Sequence, residues 1–484
     1  MKPQLSSPSC HSGSIPPATG LSHARIIELL HKYDRSGPRY TSYPPASEFK
    51  TMSADVYLAA LEQQATLHGD SEPVSLYIHI PFCSSPCFYC GCNKIITHNR
   101  NHVRQYLEHL RKEMALLRLQ TSVYKRPVMQ LHWGGGTPTF LDDAELTELV
   151  HLTSHYFNLQ TNEQRDYSIE VDPRTVNRER IELLRGLGFN RISLGIQDFD
   201  ERVQKAVNRV QRFDEVAALV EIIRARAFSS LNFDLIYGLP LQTVETIRET
   251  LQLVIALSPD RISYYNYAHL PERFSAQRAI YSQDLPTPAQ RLEILTTIID
   301  VLTGAGYLYI GIDHFVKKSD TLALALQQGK LQRNFQGYSI EKATDLIGLG
   351  VSSISQVGNV FAQNEVRLQP YYQALDANQL PVVKGLVSGS EDALRREIIR
   401  QLSCFRALDI ASIERDYDIE FSEHFRQVLP ELEQFERDGL VSWQDEKVLT
   451  VTPDGALLLR NLCMVFDEYL NKEAPIKTLF SRAI

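Results

Sequence analysis

The sequence lacks long apolar runs and an excess of basic residues. A membrane-spanning helix needs roughly 20 consecutive, mainly apolar residues, and no apolar run in this chain of 484 residues approaches that length. Its 50 Lys and Arg residues are outnumbered by 58 Asp and Glu residues, which gives a formal net charge of −8. That charge provides no general affinity for nucleic acid or an anionic membrane. We therefore expect neither a membrane span nor a nucleic-acid partner, and an anionic substrate would need locally placed Arg or Lys.

A secretory signal is also missing from the first twenty residues, MKPQLSSPSCHSGSIPPATG, which are rich in Ser and Pro and contain no apolar core. We predict that residues 1–20 form a disordered tail and that the protein is cytoplasmic, where thiols stay reduced. A chain of this length has room for two or three domains of roughly 150 residues each. We predict an N-terminal extension at 21–70, an α/β core at 71–355 and a mainly helical C-terminal domain at 356–484.

Four of the seven cysteines lie close together in the segment Tyr77 to Thr97, YIHIPFCSSPCFYCGCNKIIT. Cys83, Cys87 and Cys90 are spaced so that their thiolates can surround one face of a compact inorganic cluster. Structural zinc usually takes two paired elements, and no second Cys or His pair at matching spacing occurs in the sequence. A disulfide is disfavoured by the apolar and aromatic neighbours. Three thiolates on a four-iron cluster would leave one iron open for a small molecule. A zinc site stays open as the alternative to an Fe–S site.

The C-x-x-x-C-x-aromatic-C spacing resembles the signature of the radical S-adenosylmethionine (SAM) superfamily. The longer form, which ends in Gly91-Cys92-Asn93-Lys94, resembles the oxygen-independent coproporphyrinogen III oxidase family of haem biosynthesis. The resemblance implies that Cys83, Cys87 and Cys90 hold a [4Fe–4S] cluster. Cys92 would lie outside the cluster, and both a structural and a catalytic role, in hydrogen or electron transfer, are open for it.

An aromatic-rich loop, GPRYTSYPPASEF, separates two helical stretches, the second of which begins near Ser53. Gly37-Pro38 and Pro44-Pro45 prevent regular structure between them. On residue types alone, such a loop is more often a packing element than a binding element. Its PRYTSYP portion resembles a segment typical of this oxidase family, in which a Thr is usual at the position of Pro45.

Short β-branched runs alternate with helix-length segments between about Ser75 and Ile347. The runs are about five to seven residues long, as strands usually are. Such alternation is typical of βαβ units in a parallel sheet. We therefore predict an α/β fold, a partial (β/α) TIM-like barrel, from the six strands SLYIHI, VMQLHW, YSIEV, RISLGI, LNFDLIY and RISYYNY.

Each predicted strand ends in a polar or glycine-rich element, and ligands of α/β barrels bind at the carboxyl ends of the strands. One common site is therefore expected at these ends. In chain order they carry the cysteine loop, Gly134-Gly135-Gly136-Thr137-Pro138, Glu170 with Asp172, Gln197-Asp198, Asp234 and Ala268-His269.

Each of these groups also has a structural alternative. Glu170 and Asp234 could form internal salt bridges with a nearby Arg, because an unpaired buried carboxylate is costly. Gln197 could cap the following helix. Arg209 could be a solvated helix residue.

The resemblance implies that two SAM molecules bind at this site. The positions that match those around the SAM on the cluster are Tyr77, Gly135, Glu170 and Ile354. The positions that match those around the second SAM are Tyr89, Gly136, Thr137, Gln197, Arg209, Asp234 and Ala268. Tyr89 stands where relatives often have Phe.

The implied reaction starts with one-electron cleavage of SAM to a 5′-deoxyadenosyl radical, which takes a hydrogen from the β-carbon of a substrate propionate. Loss of CO₂ and one electron then leaves a vinyl group. Two such steps convert coproporphyrinogen III to protoporphyrinogen IX. A reducing donor such as flavodoxin or ferredoxin is implied, and we expect a monomer. Candidate partners for the substrate carboxylates are Arg39, Arg278 and Arg333.

From about Tyr371 onward the pattern is helical, with a predicted β-hairpin around Asp445 and Glu446. Basic residues are not concentrated there, so a lid or substrate-facing cap is favoured over a nucleic-acid winged helix. Two other functions stay open. A haem-binding radical SAM chaperone would usually lack PRYTSYP and the fourth cysteine, and a non-catalytic Fe–S or zinc protein would not need the second-SAM positions.

Overall fold

A computed structural model describes residues 23–33, 35, 37–334, 337–340, 345–445 and 447–470. The predicted tail and Glu446 lie outside the described residues. Within those ranges, no helix combines the length and apolar character needed to cross a membrane.

The strands of the described residues are numbered in chain order. They are β1 (Lys50–Thr51), β2 (Val74–Ile80), β3 (Phe82–Cys83), β4 (Ile95–Ile96), β5 (Pro127–Gly135), β6 (Asn158–Leu159), β7 (Asp166–Val171), β8 (Arg191–Gln197), β9 (Ser230–Tyr237), β10 (Arg261–Asn266), β11 (Tyr307–Gly311), β12 (His314–Lys317), β13 (Gln332–Asn334), β14 (Gly337–Ser339), β15 (Asp345–Leu349), β16 (Ile354–Val357), β17 (Val360–Asn364), β18 (Val382–Val387), β19 (Ala407–Asp409), β20 (Val441–Gln444) and β21 (Val448–Val451).

The α-helices are numbered in the same way. They are α1 (His23–Tyr33), α2 (Ala54–His68), α3 (Arg100–Gln120), α4 (Asp143–Tyr156), α5 (Arg178–Gly186), α6 (Glu201–Ala206), α7 (Phe213–Ala225), α8 (Val244–Leu257), α9 (Pro288–Gly304), α10 (Thr321–Gln327), α11 (Leu368–Asp376), α12 (Ser390–Phe405), α13 (Ile410–Tyr417), α14 (Phe421–His424), α15 (Leu429–Arg437) and α16 (Leu459–Val465).

Side-chain caps fix where several of these helices begin. Asp142 and Glu145 form a reciprocal capping box at α4, and Thr287 with Gln290 does the same at α9, where Pro288 occupies the first turn. Such caps satisfy backbone N–H groups that have no partner within the helix. The predicted second helix of the N-terminal extension is α2, and Ser53 caps it.

The main sheet is a partial barrel with parallel strands at its centre. The six predicted strands are β2, β5, β7, β8, β9 and β10, which pair in parallel in that order, and β15 adds a parallel strand beside β2. Antiparallel strands extend both sides, so the order is β1-β18-β17-β16-β15-β2-β5-β7-β8-β9-β10-β12-β11, with β6 beside β5. Among the described strands β1 and β11 are the edges, and the sheet does not close. The prediction of a partial barrel is confirmed.

The molecule has two large hydrophobic cores. The first lies between the barrel strands and their helices and includes Leu76, Trp133 and Phe233. The second lies among the C-terminal helices and the small sheet β19-β21-β20. The predicted hairpin is present there as the antiparallel pair β20 and β21. The proposed domain boundary after residue 355 falls within β16, and the boundaries stay a prediction.

The N-terminal loop packs into the second core. We call residues 37–43 the strap. Tyr40 and Tyr43 are buried with side chains of the C-terminal helices, and the Tyr40 hydroxyl donates to Asp467 at 2.8 Å. Asp467 follows α16, so the strap connects the two ends of the described chain.

Candidate active site

The cysteine loop, residues 83–92, leaves the barrel just after β2. Its first residue lies in β3, which pairs in parallel with β4 at Ile95 and Ile96, and the Cys83 carbonyl accepts a hydrogen bond from the Thr97 N–H at 3.0 Å. Because the two short strands are parallel, the chain between them loops out and returns to run in the same direction. Cys83 and Cys87 are buried, Cys90 is half-buried and Cys92 is exposed.

A cavity of about 200 Å³ is lined by all four of these cysteines and by the ends of neighbouring strands. The structure thus brings together groups that are far apart in sequence. The predicted cofactor-binding residues that line it are Tyr89, Gly135, Gly136, Thr137, Glu170, Gln197, Arg209 and Asp234.

Three predicted cofactor residues lie outside the cavity lining. Tyr77 is on β2, where its hydroxyl is 3.0 Å from His79 Nδ1 and its ring stacks on His132. Ala268 follows β10, and its carbonyl accepts from the Gln277 amide, which also donates to the Tyr89 carbonyl. Ile354 is the first residue of β16. Gln277 therefore ties Ala268 to a residue that does line the cavity.

The cysteine thiols have different surroundings. Burial raises the pKa of Cys83 to about 11, and its sulfur lies 3.3 Å from Thr137 Oγ1. Cys87 Sγ accepts from the guanidinium groups of Arg209 at 3.6 Å and Arg174 at 3.8 Å. A hydrogen bond from Cys92 lowers the pKa of Cys90. Metal ligation requires thiolates, and the hydrogen bond from Cys92 favours that form at Cys90.

Each of the three consecutive glycines stands where a side chain would clash with a neighbour or strain the backbone. A Cβ at Gly134 would lie 2.9 Å from Glu170 Oε1, and one at Gly136 would lie 2.8 Å from the carbonyl of Pro81. Gly135 has a φ of +119°, which a residue with a side chain rarely adopts. Its N–H donates to Glu170 Oε2 at 3.3 Å. The triplet therefore places bare backbone beside the cysteines and the carboxylate.

Neither Glu170 nor Asp234 pairs with an Arg in the described part of the chain, so the internal salt-bridge alternative is not found there. Glu170 accepts from Gly135 and lies 3.3 Å from His132 Nε2. Asp234 accepts from the Ser193 hydroxyl and from the Asn232 amide, and burial raises its pKa to about 6. Both carboxylates line the cavity and keep acceptor capacity for a hydroxyl or amine.

Arg209 is buried, which excludes the solvated alternative. It donates to Asp172 at 3.0 Å, to the Gly195 carbonyl at 2.6 Å and to Cys87. Gln197 has a left-handed backbone with a φ of +66°, and the following helix is capped by Asp200 instead. Both side chains therefore belong to the cavity wall.

A buried carboxylate supports the turn that precedes Ile354. Glu113 of α3 accepts from the Gly350 N–H at 2.8 Å, the Tyr371 hydroxyl at 2.6 Å and the Asn364 amide at 2.6 Å. Burial raises its pKa to about 7.

The three predicted substrate arginines are divided between two regions. Arg39 donates to the Asn266 carbonyl at 2.6 Å, and Arg333 donates to the carbonyls of Arg39 and Tyr40. Arg278 is exposed in the loop after β10 and donates to the Pro271 carbonyl. None of the three lines the cysteine cavity.

Sequence reasoning missed two groups at this site. His132 lies between Tyr77 and Glu170, and Arg174 bridges Asp172 and Cys87. His132 lies between buried positions on β5, and Arg174 follows β7 by three residues. Both positions could have been found by reading the last residues of each strand and the loop after it for His and Arg as well as for carboxylates.

The residues present fit a [4Fe–4S] cluster and SAM. Among the described residues no group of three His, Cys, Asp or Glu side chains is arranged to hold a single metal ion. The donor set is three soft thiols from one loop, which is the ligand chemistry of Fe–S clusters. Beside it lie bare glycine backbone and two carboxylates, which suit the amine and hydroxyl groups of SAM.

Comparisons with known proteins cover nearly the whole chain. The Radical SAM superfamily profile matches residues 77–254, and the HemN C-terminal domain profile matches residues 390–458. The chain is 47% identical over 446 residues to the oxygen-independent coproporphyrinogen III oxidase of Pseudomonas aeruginosa, covering 92% of this chain and 95% of that one. It is 45% identical to the enzyme of Escherichia coli K12, with coverages of 95% and 98%.

A solved structure shows the same fold. It is the coproporphyrinogen III oxidase (HemN) of Escherichia coli, described as a radical SAM enzyme, with a TM-score of 0.85 and 44% identity over 91% of this chain and 98% of that one. These similarities exceed what a shared barrel alone would give, because they include the C-terminal domain. The chain belongs to the oxygen-independent coproporphyrinogen III oxidase family of radical SAM enzymes.

Proposed function

We propose that this chain converts two propionate side chains of coproporphyrinogen III to vinyl groups by oxidative decarboxylation, without O₂, and so forms protoporphyrinogen IX. The observation that carries the proposal is the single cavity that joins the cysteine loop to the glycine triplet, Glu170, Arg209 and Asp234. The similarity to named oxidases along nearly the full chain supports the choice of substrate.

Cys83, Cys87 and Cys90 are the proposed ligands of the [4Fe–4S] cluster. When bound, the cluster and SAM supply the electron and the 5′-deoxyadenosyl radical that abstracts hydrogen from the substrate. Arg209 and Arg174 donate to the Cys87 sulfur and so hold its side chain toward the cavity. Cys92 is exposed beside Cys90 and is proposed to lie outside the ligand set.

The walls of the cavity hold and orient SAM in this proposal. Gly135 and Glu170, with Tyr77 and Ile354 behind them, would hold the SAM on the cluster. Glu170 is already oriented by the Gly135 N–H and His132, so it can accept from an amine or hydroxyl without reorganising. A second SAM would lie against Tyr89, Gly136, Thr137, Gln197, Arg209, Asp234 and Ala268.

The remaining assignments belong to the same proposal. A one-electron donor such as flavodoxin or ferredoxin would reduce the cluster, and the protein would act as a cytoplasmic monomer. A reducing compartment suits the free thiols of the loop. The domains would be 21–70, 71–355 and 356–484, with the last forming a cap near the substrate.

Anaerobic reconstitution with iron and sulfide, followed by incubation with coproporphyrinogen III, SAM and a reductant, tests the function. We expect vinyl products and 5′-deoxyadenosine to form together. SAM cleavage without vinyl formation would contradict the oxidase assignment and favour a haem-binding chaperone, which haem titration would detect. A protein that takes up no iron would favour a zinc protein, and one that takes up a cluster but does not cleave SAM would favour a non-catalytic Fe–S protein.

A further inference from the structure

Three arginines hold the backbone of the strap. Arg460 donates to the carbonyls of Gly37 and Pro38. Arg333 donates to the carbonyls of Arg39 and Tyr40, and both of these distances are 3.2 Å. Arg396 donates to the carbonyl of Tyr43 at 2.7 Å. Carbonyls satisfy N–H donors but carry no full negative charge, so these contacts do not neutralise the guanidinium groups of Arg333 and Arg396.

A second cavity, of about 150 Å³, lies beneath the strap. Its lining includes Tyr40 and Tyr43 from the strap, Arg333 from β13, and Arg396 and Arg400 from α12. Among the described residues that line it there are three arginines and no Asp or Glu. This is an uneven distribution for a chain whose acidic residues outnumber its basic ones.

Two of the three guanidinium groups in this cavity form no ion pair with a carboxylate of the described residues. Arg400 is neutralised, because it makes two hydrogen bonds to Glu397 at 2.6 and 2.7 Å. Arg333 stacks over Tyr338 at 4.7 Å, and its Nη1 is buried with no hydrogen-bond partner in the described part of the chain. Arg333 forms no ion pair with any described residue, so its charge is open to an anion.

Arg396 is in a similar position. Its Nε and Nη2 donate to Tyr43 and to the Ser388 hydroxyl, and no described carboxylate forms an ion pair with it. Asp392, one turn earlier on α12, acts on Arg396 only at longer range and accepts from the Gly389 N–H and the Tyr469 hydroxyl. Arg396 and Arg333 therefore give the cavity two cations that no described carboxylate pairs with. A carboxylate would accept from such forks in a geometry that suits both groups.

The arginine cavity has a neighbouring cavity inside the barrel, and that cavity borders the active site. It shares Ser339 with a cavity of about 160 Å³ in the barrel interior. That cavity in turn shares Glu170, Ser193, Asp234 and Tyr265 with the cysteine cavity. The three cavities thus form a series with the cysteines at one end and the unpaired arginines at the other.

We propose that Arg333 and Arg396 bind the carboxylate of a propionate that is not decarboxylated, and so anchor the substrate while another propionate reaches the cysteine cavity. The proposal rests on the proposed function, because it assumes a substrate with four propionates of which two survive. The reacting propionates must reach the cysteine cavity, and the barrel interior separates that cavity from the arginines. Arg333 and Arg396 would determine both affinity and orientation.

Binding of stable porphyrins to the full chain tests this without turnover. The probes are coproporphyrin III, protoporphyrin IX, which keeps only the two surviving propionates, and coproporphyrin III tetramethyl ester, which has no free carboxylate. The variant is Arg396→Gln, which keeps an N–H donor for the Tyr43 carbonyl but loses the charge. Arg415→Gln is the matched control, because Arg415 is exposed and pairs with Asp416.

For Arg396→Gln we expect the Kd of coproporphyrin III and of protoporphyrin IX to rise about 10- to 100-fold, with no change for the ester, because a charge-assisted pair is lost. Arg415→Gln should change none of the three. Weaker binding of coproporphyrin III alone would overturn the proposal, since the cavity would then hold a reacting propionate. Equal binding by the variant and the wild type, or an equal loss for the ester, would also overturn it.

A second measurement needs no variant. An arginine-specific reagent should modify Arg396 in the wild-type protein, and protoporphyrin IX should protect it while Arg415 stays reactive. Mass spectrometry of the peptides identifies the modified positions, and lack of protection would overturn the proposal. Failure of the wild type to bind coproporphyrin III would contradict the proposed function itself. Normal wild-type binding with an unaffected Arg396→Gln variant would contradict only this subsite.

Discussion

The cysteine loop and the strap are built in opposite ways. In the loop, the groups expected to bind a ligand are side chains within one short segment, and a nearby pair of short strands fixes the turn. In the strap, the backbone carbonyls are the bonded groups, and their partners are arginines at positions 333, 396 and 460. A ligand site can therefore be assembled within one short segment. A loop such as the strap, which packs against the rest of the protein, needs hydrogen-bond partners from distant parts of the chain.

The two regions also treat charge differently. Near the cysteine loop, the cations of Arg174 and Arg209 are shared between Asp172 and the Cys87 sulfur. Near the strap, Arg333 and Arg396 meet carbonyls and hydroxyls and form no ion pair among the described residues. In the first arrangement both cations have a carboxylate partner, and in the second they have capacity for an anion.

The largest effect is expected for Cys83→Ser in the cysteine loop. A serine hydroxyl does not replace a thiolate on iron, so the cluster should be lost completely. Iron and acid-labile sulfide per chain, measured after anaerobic reconstitution, would show the loss. Cys92→Ser is the matched control and should keep its cluster. Retention of full iron by Cys83→Ser, or its loss from Cys92→Ser, would show that the ligand set is wrong.

In the strap, Arg460→Met should lower the free energy of unfolding by about 3 kcal/mol, because it leaves two buried carbonyls without donors. Arg460 is itself buried, and its donors reach Gly37 and Pro38. Urea unfolding followed by circular dichroism measures the change. Arg437→Met, on the exposed surface of α15, should change stability by less than about 0.5 kcal/mol. Equal stabilities of the two variants would mean that the strap contacts contribute nothing.

Gly136→Ala tests the glycine triplet beside the cysteine loop, where a new side chain would meet backbone atoms. The new Cβ would lie 2.8 Å from the Pro81 carbonyl, and backbone cannot rotate away as a side chain can. We expect a loss of about 2 kcal/mol in stability and weaker SAM binding. Gly186→Ala, where a Cβ meets nothing within 4 Å, is the control. Unchanged SAM affinity in Gly136→Ala would argue against close contact between this glycine and the cofactor.

The smallest effect concerns Asp467, which accepts from Tyr40 of the strap. Burial raises its folded-state pKa to about 6, above the usual value of 3.8, so the folded state binds the proton more readily than the unfolded state. Stability should therefore rise as the pH falls from 7 to 5, by about 1 kcal/mol from this group. Asp467→Asn should lose this part of the dependence and keep the part that comes from Glu113 and Asp234, whose pKa values burial also raises. Identical pH profiles for wild type and Asp467→Asn would exclude the contribution.

Sequence pattern was sufficient for the elements whose signal is local. The six central strands follow from alternation and length, and the grouping of Cys83, Cys87 and Cys90 at one cavity follows from their spacing. The convergence of Glu170, Gln197 and Asp234 on one cavity followed from the rule that barrel sites lie at the strand ends. Pattern did not predict the parallel strand β15 beside β2 or the antiparallel strands β16 to β18 as separate elements, because their pairing depends on which strands lie next to them in the barrel.

The arginines of the strap show why the rest could not be predicted. Arg396 and Arg460 lie in helices and have the same local appearance as solvated helix residues. Their role appears only when the strap carbonyls are placed beside them. Arg333 was a candidate from the start, but as an isolated cation, without its contacts to Arg39 and Tyr40. Whether these arginines bind substrate stays a prediction.

The strap also determines which part of the fold can form last. Its long-range hydrogen bonds join residues separated by 227 to 427 positions, among them Arg39 to Asn266 and Tyr40 to Asp467. Contacts of such sequence separation pay the chain entropy of a very long loop, and they form slowly. During synthesis the strap is made among the first residues, yet its partners near Asp467 are made last. The second core can therefore close only after nearly the whole chain has left the ribosome, so that a truncated chain would keep its barrel strands but lack this final contact.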